Sequence, residues 1–319
     1  MNLKPRTLAT GMLSYLPGAR KVYHRHFFHP GETSAITSYG IWLKHLSLAT
    51  SHGMREIPRT VVELGPGRSI GVGLAAMICG ADRYYGLDAV PALERNDTLS
   101  FFDALVALFR NRATPLNAQG YITYGGGAFP HDVLPSGLLD DLLSADRLRR
   151  LREEVERFAA GAGRALHYAA PWDERDLEFA GQADFLVSHA VLQHVSSVDA
   201  IFESVARMLR PGGSSSHQVS FDSHGITPAW NGHWGCPSWQ WTLALGRKDF
   251  LVNRIPHSRL LAAIKRSGLE LSADLVERDT SGIGRESLGD DWSWLQDDDL
   301  VVRDAFIVAR KPAGREASR

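Results

Sequence analysis

The sequence predicts an open α/β sheet, mostly parallel, with helices on both faces and a helical cap in front of it. Three observations carry this expectation. Short β-branched or apolar runs alternate with helical periodicity along most of the 319 residues, the pattern of strand–crossover–strand units. The first of these units, TVVEL, GPG, SIGVGLAAMICG and RYYGLD, implies parallel pairing through a right-handed crossover. Hydrophobic residues make up 44% of the chain, enough for a sizeable core.

Taken in order, residues 1–58 read as the helical cap, because SAITSYGIWLKHLSLAT repeats Ile36, Tyr39, Ile41, Trp42, Leu46 and Ala49 near helical spacing. Pro58 and Thr60 close it. TVVEL is a strand, GPG a turn, and SIGVGLAAMICG an apolar helix ended by Gly80, which accepts a left-handed C-cap easily. RYYGLD is the second strand. Residues 91–112 show apolar turns at Phe101, Phe102, Leu105, Leu108 and Phe109 and predict a helix. The Gly- and Pro-rich TPLNAQGYITYGGGAFPHDVLP predicts a loop or lid. LLDDLLSADRLRRLREEVERFAAGAG predicts a helix with a charged, solvated face. ALHYAAPW follows as a short strand and ADFLVSHAVLQHV as a buried strand entering a helix start. DAIFESVARMLRPGG predicts a helix stopped by Pro211 and Gly212. SSSHQVSF is a strand, SRLLAAIKRSG a helix, LELSADLVE a strand, and LVVRDAFIVAR the final strand after an acidic loop. The main domain is expected over 59–311, with an insertion at about 113–163 and a tail at 312–319.

Charge and cysteine content narrow the function. The 35 Lys and Arg against 36 Asp and Glu leave a net charge of -1, so no overall basic field attracts nucleic acid or anionic membrane. Cys79 and Cys236 lie far apart without CxxC spacing, which opposes a disulfide framework or thiolate zinc site and fits a reducing cytoplasm. LATGMLSYLPGAR is too short, polar and broken for a signal peptide or membrane helix. No internal repeat or long low-complexity linker is present.

The turn after the first strand carries the chemistry. Gly65 and Gly67 let a ligand approach the backbone, and Pro66 stiffens the bend between them. The spacing Gly65, Gly67, Gly71 departs from the dinucleotide fingerprint. Glu63, directly before the turn, would repel a pyrophosphate and attract a cation. S-adenosylmethionine carries an ammonium and a sulfonium and no phosphate. Asp88 follows Gly67 by 21 residues, as expected of the acidic residue that ends the second strand and accepts hydrogen bonds from ribose hydroxyls. The plainer alternative has Glu63 capping a helix and Asp88 merely ending a strand.

VVELGPG, ADFLVSHAVLQHV and MLRPGG, in this order, resemble the motifs of the class I S-adenosylmethionine-dependent methyltransferases over roughly residues 60 to 310. YGIWLKHL is similar to the cap helix of bacterial members that methylate sugars or other small molecules. The resemblance implies a Rossmann-like sheet of seven strands with the last one antiparallel, which LVVRDAFIVARKP fits. It also implies an acidic residue after the third strand that contacts the adenine amino group. This role falls on Asp173, with Trp172 as a ring wall; the alternative is a strand-end Asp and a packing Trp.

Methyl transfer is an in-line displacement helped by alignment and exclusion of water, and an alcohol acceptor also profits from a base. His194 is the first candidate, since resembling enzymes place a base at that position of VLQHV, and His189 the second; His189 also borders the cofactor. Either ring could instead brace the strand–helix corner. Asp222 is a candidate to orient a histidine or to bind an acceptor hydroxyl. Tyr39, His217, His224, Trp230, Trp234 and Arg254 are the expected acceptor contacts, the tryptophans as a wall and Arg254 for an anionic group. The tryptophans would equally suit burial under the sheet or a homodimer contact. His217, Asp222, His224 and His233 raise a metal alternative, but no compact ligand spacing supports it, so no metal is expected.

The expected activity is therefore methylation of a small-molecule hydroxyl, on a sugar or specialised metabolite. N- or C-methylation, a nicotinamide oxidoreductase and a non-catalytic cofactor-binding scaffold are the competing readings.

Overall fold

A computed structural model describes residues 3–16, 34–115, 127–173, 179–248 and 252–313. Much of the expected loop, the tail from residue 314, and residues 17–33 of the cap lie outside them.

The described cap contributes α1, Pro5–Leu13, and α2, Ala35–Ser51. Ser34 caps α2 by accepting from the Thr37 N–H. Then come β1, Thr60–Leu64; α3, Gly71–Ile78; β2, Arg83–Leu87; and α4, Thr98–Arg110. The insertion holds α5, Ser136–Leu142, and α6, Ala145–Ala159. β3, Leu166–Ala169, β4, Ala183–His189, α7, Val198–Met208, and β5, Leu209–Ser220, follow. The chain then forms α8, Ser238–Leu245, α9, His257–Arg266, β6, Glu270–Arg278, and β7, Val302–Arg310.

The seven strands are ordered β3-β2-β1-β4-β5-β7-β6, and β7 alone runs antiparallel to its neighbours. One face is covered by α2, α3, α4 and α6, with Trp42, Phe109 and Phe158 fully buried among them. The other packs α7 and α9 through Phe202, Leu260 and Ile264. Alternation along β5 assigns its side chains to the two layers: Ser216 and Gln218 meet α2, while His217 turns to Phe202 of α7.

Three boundaries differ from the sequence reading. The helix expected from residue 91 begins at Thr98, so residues 91–97 stay available as a loop after β2. The long charged helix is two helices, broken at Leu143 and Ser144. α7 ends at Met208, before Pro211, because the chain enters β5 there; Pro211 and Gly212 fall in the irregular stretch where the pairing shifts from Leu209 to Ser214. A residue without an N–H is tolerated at such a bulge.

Glu154 fastens the insertion to the sheet. One oxygen accepts the N–H groups of Arg164, Ala165 and Leu166 at the entry to β3, and the other takes Arg157 in a fork. Burial pushes this carboxyl up, but the three N–H groups and Arg157 outweigh it and hold it below its ordinary value. Its stabilising effect is therefore present above the unfolded carboxyl's range and is lost as pH falls through the folded one. Glu154→Ala should cost about 3 kcal/mol in denaturant unfolding at neutral pH, with the difference from the parent shrinking in acid.

Candidate functional site

The carboxyl ends of β1, β2 and β4 lie side by side, and the open space above Gly67 is the cleft they border. Gly65 and Gly67 both sit at φ +68°, so the turn between them is left-handed on either side of the buried Pro66. A Cβ on Gly65 would strike Val191, just past β4, at 2.6 Å, whereas one on Gly67 would meet nothing within 4 Å. Gly65 thus closes the floor of the cleft against β4 and Gly67 opens onto space above it.

Asp88 holds this turn. Its carboxylate accepts the Gly67 N–H at 3.0 Å and the Ala89 N–H at 2.8 Å, and burial raises it against the pull of these amides. Each carboxylate oxygen can accept again, so ribose hydroxyls can be added. The backbone C=O of Asp88 accepts the Trp172 N–H, which sets Trp172 and Asp173 beside the same rim. Trp172 packs partly into the α7 layer.

Glu63 differs from a simple exposed counter-charge. It is buried, and the Tyr84 hydroxyl on β2 donates to its Oε2 at 2.6 Å. Burial pushes the carboxyl up to about 8, Asp88 adding to the effect and the Tyr84 hydrogen bond opposing it. At neutral pH this favours the protonated carboxyl.

Beyond β4, Ala190 adopts φ +57°, a left-handed conformation that redirects the chain into the short turn Leu192–His194. Asn253 pins this turn: its amide donates to the Leu192 and Val195 carbonyls and its N–H to Gln193. His189 is half-buried at the cleft edge, and His194 lies against His224 with ring centroids 5.6 Å apart. Burial, with Lys44 contributing, drives His189 down to about 3, so its ring is neutral at working pH.

Other expected site residues are used differently. Asp222 accepts from Arg303 and from the His224 N–H; neither bond orients a histidine ring. Tyr39 is buried between α2 and α4, where its hydroxyl donates to Ala113 and its ring meets Phe109 edge-on. His217 lies inside the α7 layer with Nδ1 against Ser188 Oγ at 2.8 Å. Trp230, Trp234 and Trp241 are buried, while Trp239 is exposed. Trp234 donates to the Arg254 carbonyl.

Arg254, at φ +62°, inserts its guanidinium between the rings of Trp241 and Trp292, 4.9 Å from each, and donates to the His233 and Cys236 carbonyls. Burial lowers it to about 10. Arg254→Lys should destabilise the protein by about 2 kcal/mol in thermal unfolding, because an ammonium has no planar face to stack between two rings and no second nitrogen for Ser238 Oγ.

Sequence reasoning missed Lys44 and His45 of α2. Both are buried against β5: Lys44 donates to Gln218, and His45 contacts Ser216 and His189. Burial lowers Lys44 to about 7 despite Asp304 and Glu277. Two adjacent polar residues inside an otherwise apolar helix were the available signal. Among the described residues, no group of three or more His, Cys, Asp or Glu is placed to share a metal ion, and no helix is long and apolar enough to cross a membrane.

The family described as "Methyltransferase domain" matches residues 142–216, the span from the end of α5 into β5. Comparison with curated protein sequences finds no match. Similar solved structures include an S-adenosylmethionine-dependent methyltransferase from Mesorhizobium loti, at 16% identity over 79% of this chain and 90% of that one, TM-score 0.38. A second, from Methanosarcina mazei, shares 12% identity over 82% and 96%, TM-score 0.42. Geranyl diphosphate C-methyltransferase from Streptomyces coelicolor A3(2) shares 14% over 83% and 74%, TM-score 0.40. These likenesses are distant, and the strand order and the turn after β1 carry more weight.

Proposed function

We propose that the chain is a class I S-adenosylmethionine-dependent methyltransferase, a reading supported by the family match over residues 142–216 and by the strand order, and that it methylates a hydroxyl of a small molecule, such as a sugar or specialised metabolite, with His189 taking the proton. The observation that carries this reading is the imidazole of His189 at the end of β4, beside the turn that follows β1, with its Nδ1 3.2 Å from His45 Nε2. A hydroxyl needs such an acceptor; an amine that attacks with its own lone pair has less use for one.

The cradle fits the donor: Gly67 leaves open space, Asp88 suits ribose hydroxyls and Glu63 suits a cation. Asp173 and Trp172 would hold the adenine end. Bound there, S-adenosylmethionine supplies the methyl group, its sulfur keeping the electron pair of the breaking C–S bond. As the acceptor oxygen forms its bond to carbon it becomes oxonium-like and far more acidic than an imidazolium, so even a ring with a depressed pKa takes the proton downhill. The positive charge lost at sulfur reappears on His189. His194 and His224, whose rings meet at a tilt with centroids 5.6 Å apart, would line the acceptor side.

Incubating the protein with methyl-labelled donor and a small-metabolite extract tests this reading. Label recovered as a methyl ether or ester supports it. Label on nitrogen or carbon would overturn the hydroxyl assignment while keeping the enzyme class.

A further inference from the structure

We infer that His45 is a positioning residue for His189: it holds that ring with Nδ1 as the hydrogen-bond donor and so leaves the lone pair on Nε2. This rests on the reading of His189 as the proton acceptor. His45 projects from α2, is completely buried, and has a partner at each ring nitrogen: Ser216 Oγ lies 2.6 Å from Nδ1 and His189 Nδ1 lies 3.2 Å from Nε2. The two imidazoles meet edge-on, 5.5 Å between centroids at 71°, and Phe306 of β7 backs His45 at 5.0 Å. The ring is thus clamped between a strand hydroxyl and the candidate base.

Burial keeps both rings neutral, with His189 and Lys44 adding to the effect at His45. Two neutral imidazoles in contact share one bridging hydrogen, which couples their tautomers. If His45 Nε2 donated, His189 would carry its hydrogen on Nε2 and could not accept another. If His45 donates from Nδ1 to Ser216 instead, His189 donates from Nδ1 and its Nε2 stays basic. When the acceptor proton then arrives at Nε2, the O–H bond breaks, the new N–H forms, and the imidazolium keeps His45 as the acceptor of its other N–H. Lys44, beside His45 on α2, is drawn instead toward Gln218, whose amide is fixed by the Ala305 carbonyl. A positioning partner acting through the second nitrogen is the usual way a protein selects one histidine tautomer.

Long-range proton–nitrogen spectra of the ¹⁵N-histidine-labelled protein, without donor or acceptor, read the tautomer directly. The His189 signals are identified by their loss in His189→Gln. The expected result is the Nδ1–H form in the parent, loss of that preference in His45→Phe, and its recovery in His45→Gln, whose carbonyl can accept the same hydrogen. Labelled-product formation in the metabolite extract should fall at least tenfold in His45→Phe and recover in part in His45→Gln, with S-adenosylmethionine affinity unchanged within about twofold. A parent His189 in the Nε2–H form, or a His45→Phe variant that folds and binds donor with the His189 tautomer unaltered, would overturn the inference; the parent spectrum decides even if that variant does not fold. A correct tautomer combined with full turnover by His189→Gln would overturn the base assignment and not the pairing.

Discussion

Replacing Glu63 by Gln should weaken S-adenosylmethionine binding by about 10- to 100-fold near pH 7.5 and make the donor-free protein more stable above pH 8. Both effects follow from one carboxyl. Burial raises Glu63 to about 8, so folding favours its protonated form. Such a group's stabilising contribution is complete below the unfolded carboxyl's range and fades as pH climbs through the folded value. The donor-free protein therefore carries a buried carboxylate beside Tyr84 and Asp88 only in alkali, and the neutral amide removes that cost while still accepting from Tyr84. A cationic donor reverses the preference, because it favours the ionised form. Between pH 6 and 7.5, where the donor's own α-ammonium remains protonated, affinity should rise about tenfold per pH unit and binding should release close to one proton. In Glu63→Gln both trends should vanish. Calorimetry in buffers of different ionisation enthalpy and thermal unfolding across pH read the two halves separately.

His189→Gln should lower turnover by about 10²- to 10⁴-fold while leaving donor affinity within a few-fold. The amide retains the size and a hydrogen-bond contact toward His45, so the end of β4 keeps its shape, but it cannot take a proton. His194→Ala should cost less, since His189 is the ring joined through His45 to Ser216, whereas the ring of His194 meets that of His224. Equal losses in both variants, or a larger one at His194, would move the base to His194, the residue the sequence motif favours first. Steady-state rates with the acceptor recovered from the labelling experiment decide between them.

Local signals made much of this architecture readable. The β1 turn, the acidic end of β2 and the apolar run of β4 announce themselves within a few residues each, and the strand at LVVRDAFIVAR takes the antiparallel position its family resemblance implied. Asp88 does contact the turn it was paired with by spacing. What sequence could not supply is register and facing. Tyr84 reaches Glu63 only because β1 and β2 pair with Glu63 opposite Gly86, and no periodicity reports that a phenol will cap the carboxyl.

The same limit hid the cap's contribution. Helical spacing in α2 marks Tyr39, Trp42 and Leu46 as buried, but it gives no sign that β5 and β7 also cover Lys44 and His45. The tryptophan cluster illustrates the converse. Its composition suggested a ligand wall, whereas Trp241 and Trp292 enclose Arg254, and Trp234 is held to the Arg254 backbone. Aromatic-rich loops can stack on their own chain as readily as on a substrate.

The Glu63–Gly67 turn is expected to receive a cationic, phosphate-free donor. Parallel calorimetric titrations of the protein and of Glu63→Gln with S-adenosylmethionine and with NADH check this. Single-site binding of S-adenosylmethionine, weakened in the variant, and no binding of NADH by either protein are the expected results. Binding of NADH alone, tightened when the carboxyl is replaced, would contradict them.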